Sequence, residues 1–237
     1  MMDTTKSEPN TKPSDPRKDE QFPMVLGLML LAGLAAIVTR LLAPEGLWPW
    51  NLTPIGALAI YGGARLRSWR AFVLPVVVMV ITDLILWAVR HNPPFNPFVY
   101  ASFAVYVLLG RMLSRTASPV WIGSACVAGA VQFFLLTNLS VWLAARVPAE
   151  ELPEGKAMMW RDKGGSYLSP AYADNLKGLL ACYAVALPFA NKDAPPLGFS
   201  GNVLLGDLFF CALLFGAHAW LSRRYFRPVP ASLARAS

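Results

Sequence analysis

The stretch 120–145 constrains this chain more than any other, because twenty-six consecutive residues carry no charged side chain. At 1.5 Å per residue such a helix is about 39 Å long, more than the ~30 Å hydrocarbon core of a bilayer. A helix apolar on all sides belongs in the core of a large protein or in lipid, and a chain of 237 residues is not large. Six further apolar runs stand at 23–42, 53–64, 71–89, 98–113, 176–190 and 201–221. Only 15% of the residues are charged, against about 25% in an average soluble domain. The sequence therefore specifies an all-α, polytopic membrane helical bundle with the lipid bilayer as its solvent.

Seven runs do not require seven spans, since a crossing helix needs roughly 17 to 25 residues and 53–64 and 176–190 are short. Loop charge decides between them. Arg65, Arg67 and Arg70 follow the second run, Arg111 and Arg115 the fourth, and Arg223, Arg224 and Arg227 the last. Basic loops stay on the cytoplasmic side, so all three clusters share it. They do so only if one of the last three runs fails to cross, and 176–190, interrupted by Pro188 and flanked by Lys177 and Lys192, is the weakest. The expectation is six transmembrane helices, a re-entrant or interfacial segment at 176–190, and a cell inner or plasma membrane location with both termini cytoplasmic. Trp48 and Trp50 extend the second span outward as interfacial anchors.

The membrane domain is expected over 22–225, between cytoplasmic tails at 1–21 and 226–237. The first tail mixes Lys, Arg, Asp and Glu with Pro9, Pro13 and Pro16 and has nothing to bury. It is too polar and too acidic for the n-region of a secretory signal, so the first apolar run should stay in the mature protein. The net charge of +7 comes in short clusters between apolar runs, which fits anionic lipid headgroups and not nucleic acid. Cys126, Cys182 and Cys211 lie singly in apolar surroundings without metal-ligand spacing and read as packing residues.

Orientation gives every polar residue a depth. Asp83 lies about 18 Å from the cytoplasmic start of its span, past the midplane, and Asn138 lies further out still. Asp207 lies about 9 Å below the outer end of the last span, with Asn202 nearer the surface. Asn51 and Thr53 open the second span and Arg40 closes the first. A buried Asp costs roughly 2.5 to 3.5 kcal/mol on the insertion scale, so this gathering in the outer half calls for a common cause. A polar cavity open to the outside supplies one. Asn51, Thr53, Asp83, Asn138, Asn202 and Asp207 would line it, with Trp142, Tyr172 and Tyr183 as stacking or lid residues under a cover made by 146–202. Plainer roles stay open: binding of backbone amides or pairing with Arg40 for either Asp, an interhelical hydrogen bond for Asn138, and interface marking for the aromatics. His91 and His218 have no ligand or base partner at short spacing and read as structural.

No phosphate-binding glycine loop, zinc-ligand pair or nucleophile elbow occurs, so no catalytic role, cofactor or nucleotide site is expected. Uphill movement of a solute would draw on a partner or an ion gradient.

Several strings look familiar as a set: Asn51-Leu52-Thr53-Pro54-Ile55-Gly56-Ala57-Leu58-Ala59 with Gly62-Gly63-Ala64, then Thr82-Asp83, Thr137-Asn138 with Val141-Trp142, Gly178-Leu179-Leu180-Ala181-Cys182-Tyr183, Leu187-Pro188-Phe189, and Asn202 with Leu205-Gly206-Asp207. Together they resemble an uncharacterised bacterial family of six-helix transport proteins, itself similar to the substrate-binding S components of energy-coupling factor (ECF) transporters. The resemblance implies capture of a small-molecule solute, a vitamin or a metal ion, from outside. It also implies a transmembrane scaffold and ATPase subunits as partners, with Ala32 and Ala36 on the docking face of the first helix. The stretch 148–170 lies outside it. Two other readings remain: a proton- or sodium-coupled carrier using Asp83 and Asp207, and a structural or assembly protein of the membrane.

Overall fold

The computed structural model describes residues 16–66, 69–91, 95–115, 118–163, 167–187 and 196–226. Its helices are α1 (Pro16–Leu42), α2 (Ile55–Arg65), α3 (Arg70–Arg90), α4 (Pro97–Met112), α5 (Pro119–Ala145), α6 (Leu176–Val185) and α7 (Gly198–Tyr225). Three strands, β1 (Arg146–Val147), β2 (Met158–Lys163) and β3 (Tyr167–Ala173), lie between α5 and α6. α1 begins inside the stretch read as a tail, while 1–15 and 227–237 lie outside the described residues. Starts are written locally: Pro97 and Pro119 occupy the first helical turn, where a missing N–H costs nothing, and Asn96 caps α4 by accepting from the Phe98 N–H at 3.0 Å.

Helices α1, α3, α4, α5 and α7 are long and apolar enough to cross a membrane. Their outward faces carry exposed Leu30, Leu31, Val77, Leu108, Val131, Phe209 and Leu213, the surface expected of a multi-pass membrane protein. The sixth expected span forms differently. α2 has eleven residues, about 16 Å, and by itself does not traverse the hydrocarbon core. Every residue from Ile55 to Ala64 is buried, with α4, α7, α3 and α1 around it. Its direction follows from its neighbours. Arg40 near the end of α1 pairs with Asp83 in the second half of α3, so α1 and α3 run parallel and the chain between them must return. α2 makes that return together with the turns and extended residues on either side of it.

The same reasoning places α6. α5 runs against α4, because Asn96 before α4 donates to Ser140 near the end of α5 at 2.9 Å. α7 then starts at the end where α5 stops: Asn51 Nδ2 donates to the Phe199 carbonyl at 3.3 Å, and Trp50 meets the Phe199 ring at 6.1 Å. The strands and α6 therefore occupy one end of the bundle, here called the cap end, and α6, ten residues long, does not cross. The cover expected over 146–202 contains a three-stranded sheet, ordered β1-β3-β2, with β1 parallel and β2 antiparallel to β3. Arg65, Arg70, Arg111, Arg115, Arg223 and Arg224 gather at the opposite end, where Arg65 lies over Phe215 at 5.3 Å and Arg111 over Phe72 at 5.0 Å.

Glycines set the closest approaches. A Cβ on Gly63 of α2 would lie 2.1 Å from the Val107 carbonyl oxygen, and one on Gly110 of α4 would lie 2.1 Å from that of Ile60. The two helices thus cross backbone to backbone.

Candidate functional site

The first turn of α2 meets α7 through a reciprocal pair of glycines. A Cβ on Gly56 would come within 2.1 Å of Asp207 Oδ1, and one on Gly206 would stand 3.2 Å from the Thr53 backbone. With no side chain at 56, the Asp207 carboxyl fits against the helix start. It is 2% exposed, and its Oδ2 accepts from the Tyr106 hydroxyl at 2.5 Å. Tyr106 is held in turn by Gly129, which lets α5 close on its ring, and by the stacked Phe103 ring at 5.8 Å. Thr53 opens α2 by accepting from the Ile55 N–H at 3.2 Å. Asn51, in the turn before it, takes φ 61°, a left-handed conformation that Asn tolerates better than most side chains.

Three adjoining cavities follow from this packing. An inner chamber of about 170 Å³ is bounded by Arg40, Asn51, Thr53, Tyr106 and Asp207 among the polar residues, and by Phe103 and Phe133 among the apolar ones. A side chamber of about 200 Å³ reaches Asp83 and shares Arg40, Met79 and Val99 with the first. Toward the cap end, an outer chamber of about 440 Å³ contains Asn138 and Tyr172 and shares Asn51, Val99, Phe133 and Val203 with the inner one. Val99 borders all three. The sheet roofs the outer chamber: Trp160 pairs in register with Pro170, and Tyr172 lies two residues on, so all three share the face that lines it. Burial, and after it the neighbouring Cys182 thiol, raises the Tyr172 phenol above its ordinary range.

Arg40, on the wall that the inner and side chambers share, is held in an ion pair. The Arg40 guanidinium donates to Asp83 Oδ1 at 2.8 Å, to Thr82 Oγ1 at 2.7 Å and to the Met79 sulfur at 2.7 Å, while Tyr100 donates its hydroxyl to the other Asp83 oxygen at 2.8 Å. The plainer role for Asp83, pairing with Arg40, is thus present, and the pair borders the side chamber.

Of the nine residues read from the sequence as the site, Asn51, Thr53, Asp83, Asn138, Tyr172 and Asp207 border these chambers. Asn202, Trp142 and Tyr183 do not, and each fastens one element to another instead. Asn202, fully buried, donates to the Trp50 carbonyl at 2.9 Å and accepts from the Leu197 N–H at 3.2 Å. Trp142 donates to the Ala173 carbonyl at 2.9 Å, and Tyr183 to that of Leu135 at 2.9 Å. Sequence reasoning missed Tyr100 and Tyr106, which donate to the two membrane carboxyls. His218, read as structural, has its Nδ1 2.8 Å from the buried Tyr61 hydroxyl. Among the described residues no group of three or more His, Cys, Asp or Glu is placed to hold a metal ion.

Comparison with curated proteins and with solved structures returns no match. A protein-family profile does match, over residues 18–232, and its description assigns no activity. The chain belongs to that family, the family of unknown function DUF6580.

Proposed function

We propose that this protein captures a small polar solute in the joined inner and outer chambers, in the manner of the S component of an ECF-type transporter. The observation that carries the proposal is convergence: polar side chains from α1, α5, α7, β3 and the turn before α2 border cavities that share walls and lie under one sheet. Pockets that take small molecules have this make-up, mostly apolar and aromatic walls with a few placed polar groups. The basic end belongs in the cytoplasm by the positive-inside rule, which turns the sheet and the chambers outward. With no nucleotide motif of its own, the chain would rely on a transmembrane scaffold with ATPase subunits for energy.

Thermal unfolding of the purified protein against a panel of vitamins, nucleobases, amino acids and divalent metals tests this. One class should raise Tm saturably, and Val203→Trp, which fills the wall shared by the inner and outer chambers, should abolish the rise. Stabilisation that survives Val203→Trp would place the solute elsewhere.

A second reading draws on Asp207, a buried carboxyl whose partner is a neutral hydroxyl. Such a group suits a proton relay in a coupled carrier. Proteoliposomes holding this protein alone separate the two, since only a coupled carrier accumulates solute when a proton gradient is imposed.

A further inference from the structure

The inner chamber has one arginine and one carboxyl on its wall, and among the described residues only the arginine has an ionic partner. Arg40 already has its counter-ion in Asp83, 2.8 Å away. Asp207 has none: no described cation lies within ion-pair distance of it. Its Oδ2 takes the Tyr106 hydroxyl, and no described group donates to Oδ1. That oxygen stands at the chamber wall where Gly56 leaves space, since a Cβ there would lie 2.1 Å from it. An ionised carboxyl kept from water without a cation is strongly unfavourable, so Asp207 either holds a proton itself or is completed by a solute that brings positive charge to Oδ1.

The rest of the wall limits what that is. The Phe103 and Phe133 rings both border the chamber, with centroids 5.9 Å apart and planes inclined at 55°. Aromatic faces attract cations and accept flat apolar bodies. A divalent metal needs several hard or borderline ligands, and the lining offers one carboxyl, hydroxyls, an amide and a thioether. An anion would meet Asp207 directly, and the guanidinium that would bind it is engaged by Asp83.

Resting on the reading that this chamber is a solute site, we propose that its solute is a small organic monocation with a flat apolar body, the cation on Asp207 and the body against Phe103 and Phe133. Proton-coupled chemistry at Asp207 becomes an outcome of the test.

Benzamidinium, benzamide and benzoate share one flat shape and differ in charge, so they serve as probes in thermal unfolding of the detergent-purified full chain, with zinc and magnesium ions as a metal arm. The proposal expects a saturable rise in Tm with benzamidinium and none with benzoate or either metal. Apparent affinity should fall roughly tenfold or more in Asp207→Asn. Val203→Trp should remove the effect as well, and it provides the control if Asp207→Asn fails to fold. Benzamide or benzoate acting as strongly as benzamidinium, with the effect lost in Val203→Trp, would overturn the cation assignment and leave the chamber as a solute site. Stabilisation by a metal alone, lost in Asp207→Asn, would overturn it in favour of an ion site. No response to any probe, with Tm instead shifting with pH in the wild type but not in Asp207→Asn, would overturn both the assignment and the solute reading in favour of a proton site.

Discussion

Asp83 and Asp207 are the same side chain, and the bundle meets their charges in different ways. Asp83 is answered by the Arg40 guanidinium and the Tyr100 hydroxyl, with the pair only partly buried at 20% and 13% side-chain exposure for Arg40 and Asp83. Removing one partner leaves the other charge unanswered, so Arg40→Met should destabilise by about 3 kcal/mol. The double variant Arg40→Met/Asp83→Leu should recover most of that loss. Denaturant or thermal unfolding in one detergent measures both, and a double variant as unstable as the sum of its singles would refute the pairing. Tyr106→Phe leaves the buried Asp207 Oδ2 without a donor and should cost about 1 to 3 kcal/mol, the penalty for an unsatisfied buried polar group. Both acids were legible because an Asp in an apolar run is expensive. Tyr106 was not: a tyrosine in such a run looks like any interfacial aromatic, and its role depends on Gly129 of another helix closing on its ring.

At the level of elements, the crossing of α2 with α4 holds the bundle's centre together. Gly110→Ala would place a methyl group against the Ile60 carbonyl, where backbone and not a yielding side chain must move. It should lower stability by about 3 kcal/mol or more. Gly216→Ala is the matched control, because a Cβ there meets nothing within 4 Å, and helix propensity favours alanine by about 1 kcal/mol. Equal effects of the two substitutions would refute the close crossing. The long helices were readable from apolar length alone. The sheet was not, since β2 carries Arg161, Asp162 and Lys163 beside its apolar residues, and the sheet's seat on α5, where Trp142 donates to the Ala173 carbonyl, joins residues distant in sequence. The burial of α2 escaped the sequence for another reason: apolar length distinguishes lipid from water but does not distinguish a lipid-facing helix from one enclosed by other helices.

For the whole molecule, direction in the membrane decides what the chambers face. Loop charge sorts the Arg clusters to one end, and the pairings of Arg40 with Asp83 and of Asn51 with Phe199 independently put α6 and the sheet at the other. In a background lacking Cys126, Cys182 and Cys211, Lys156→Cys should react with a large impermeant maleimide on intact cells, and Arg115→Cys only after permeabilisation. The reverse pattern would turn the chambers toward the cytoplasm and end the uptake reading. The central claim is narrower still: residues from the first two turns of α4 and α7 face one solvent-connected chamber. Val99→Cys and Val203→Cys, both on its walls, and Val78→Cys, buried in the apolar core, test it with a small cationic methanethiosulfonate added from outside. The account predicts modification of the first two at comparable rates and none of the third, whereas protection of all three in the folded protein would contradict it.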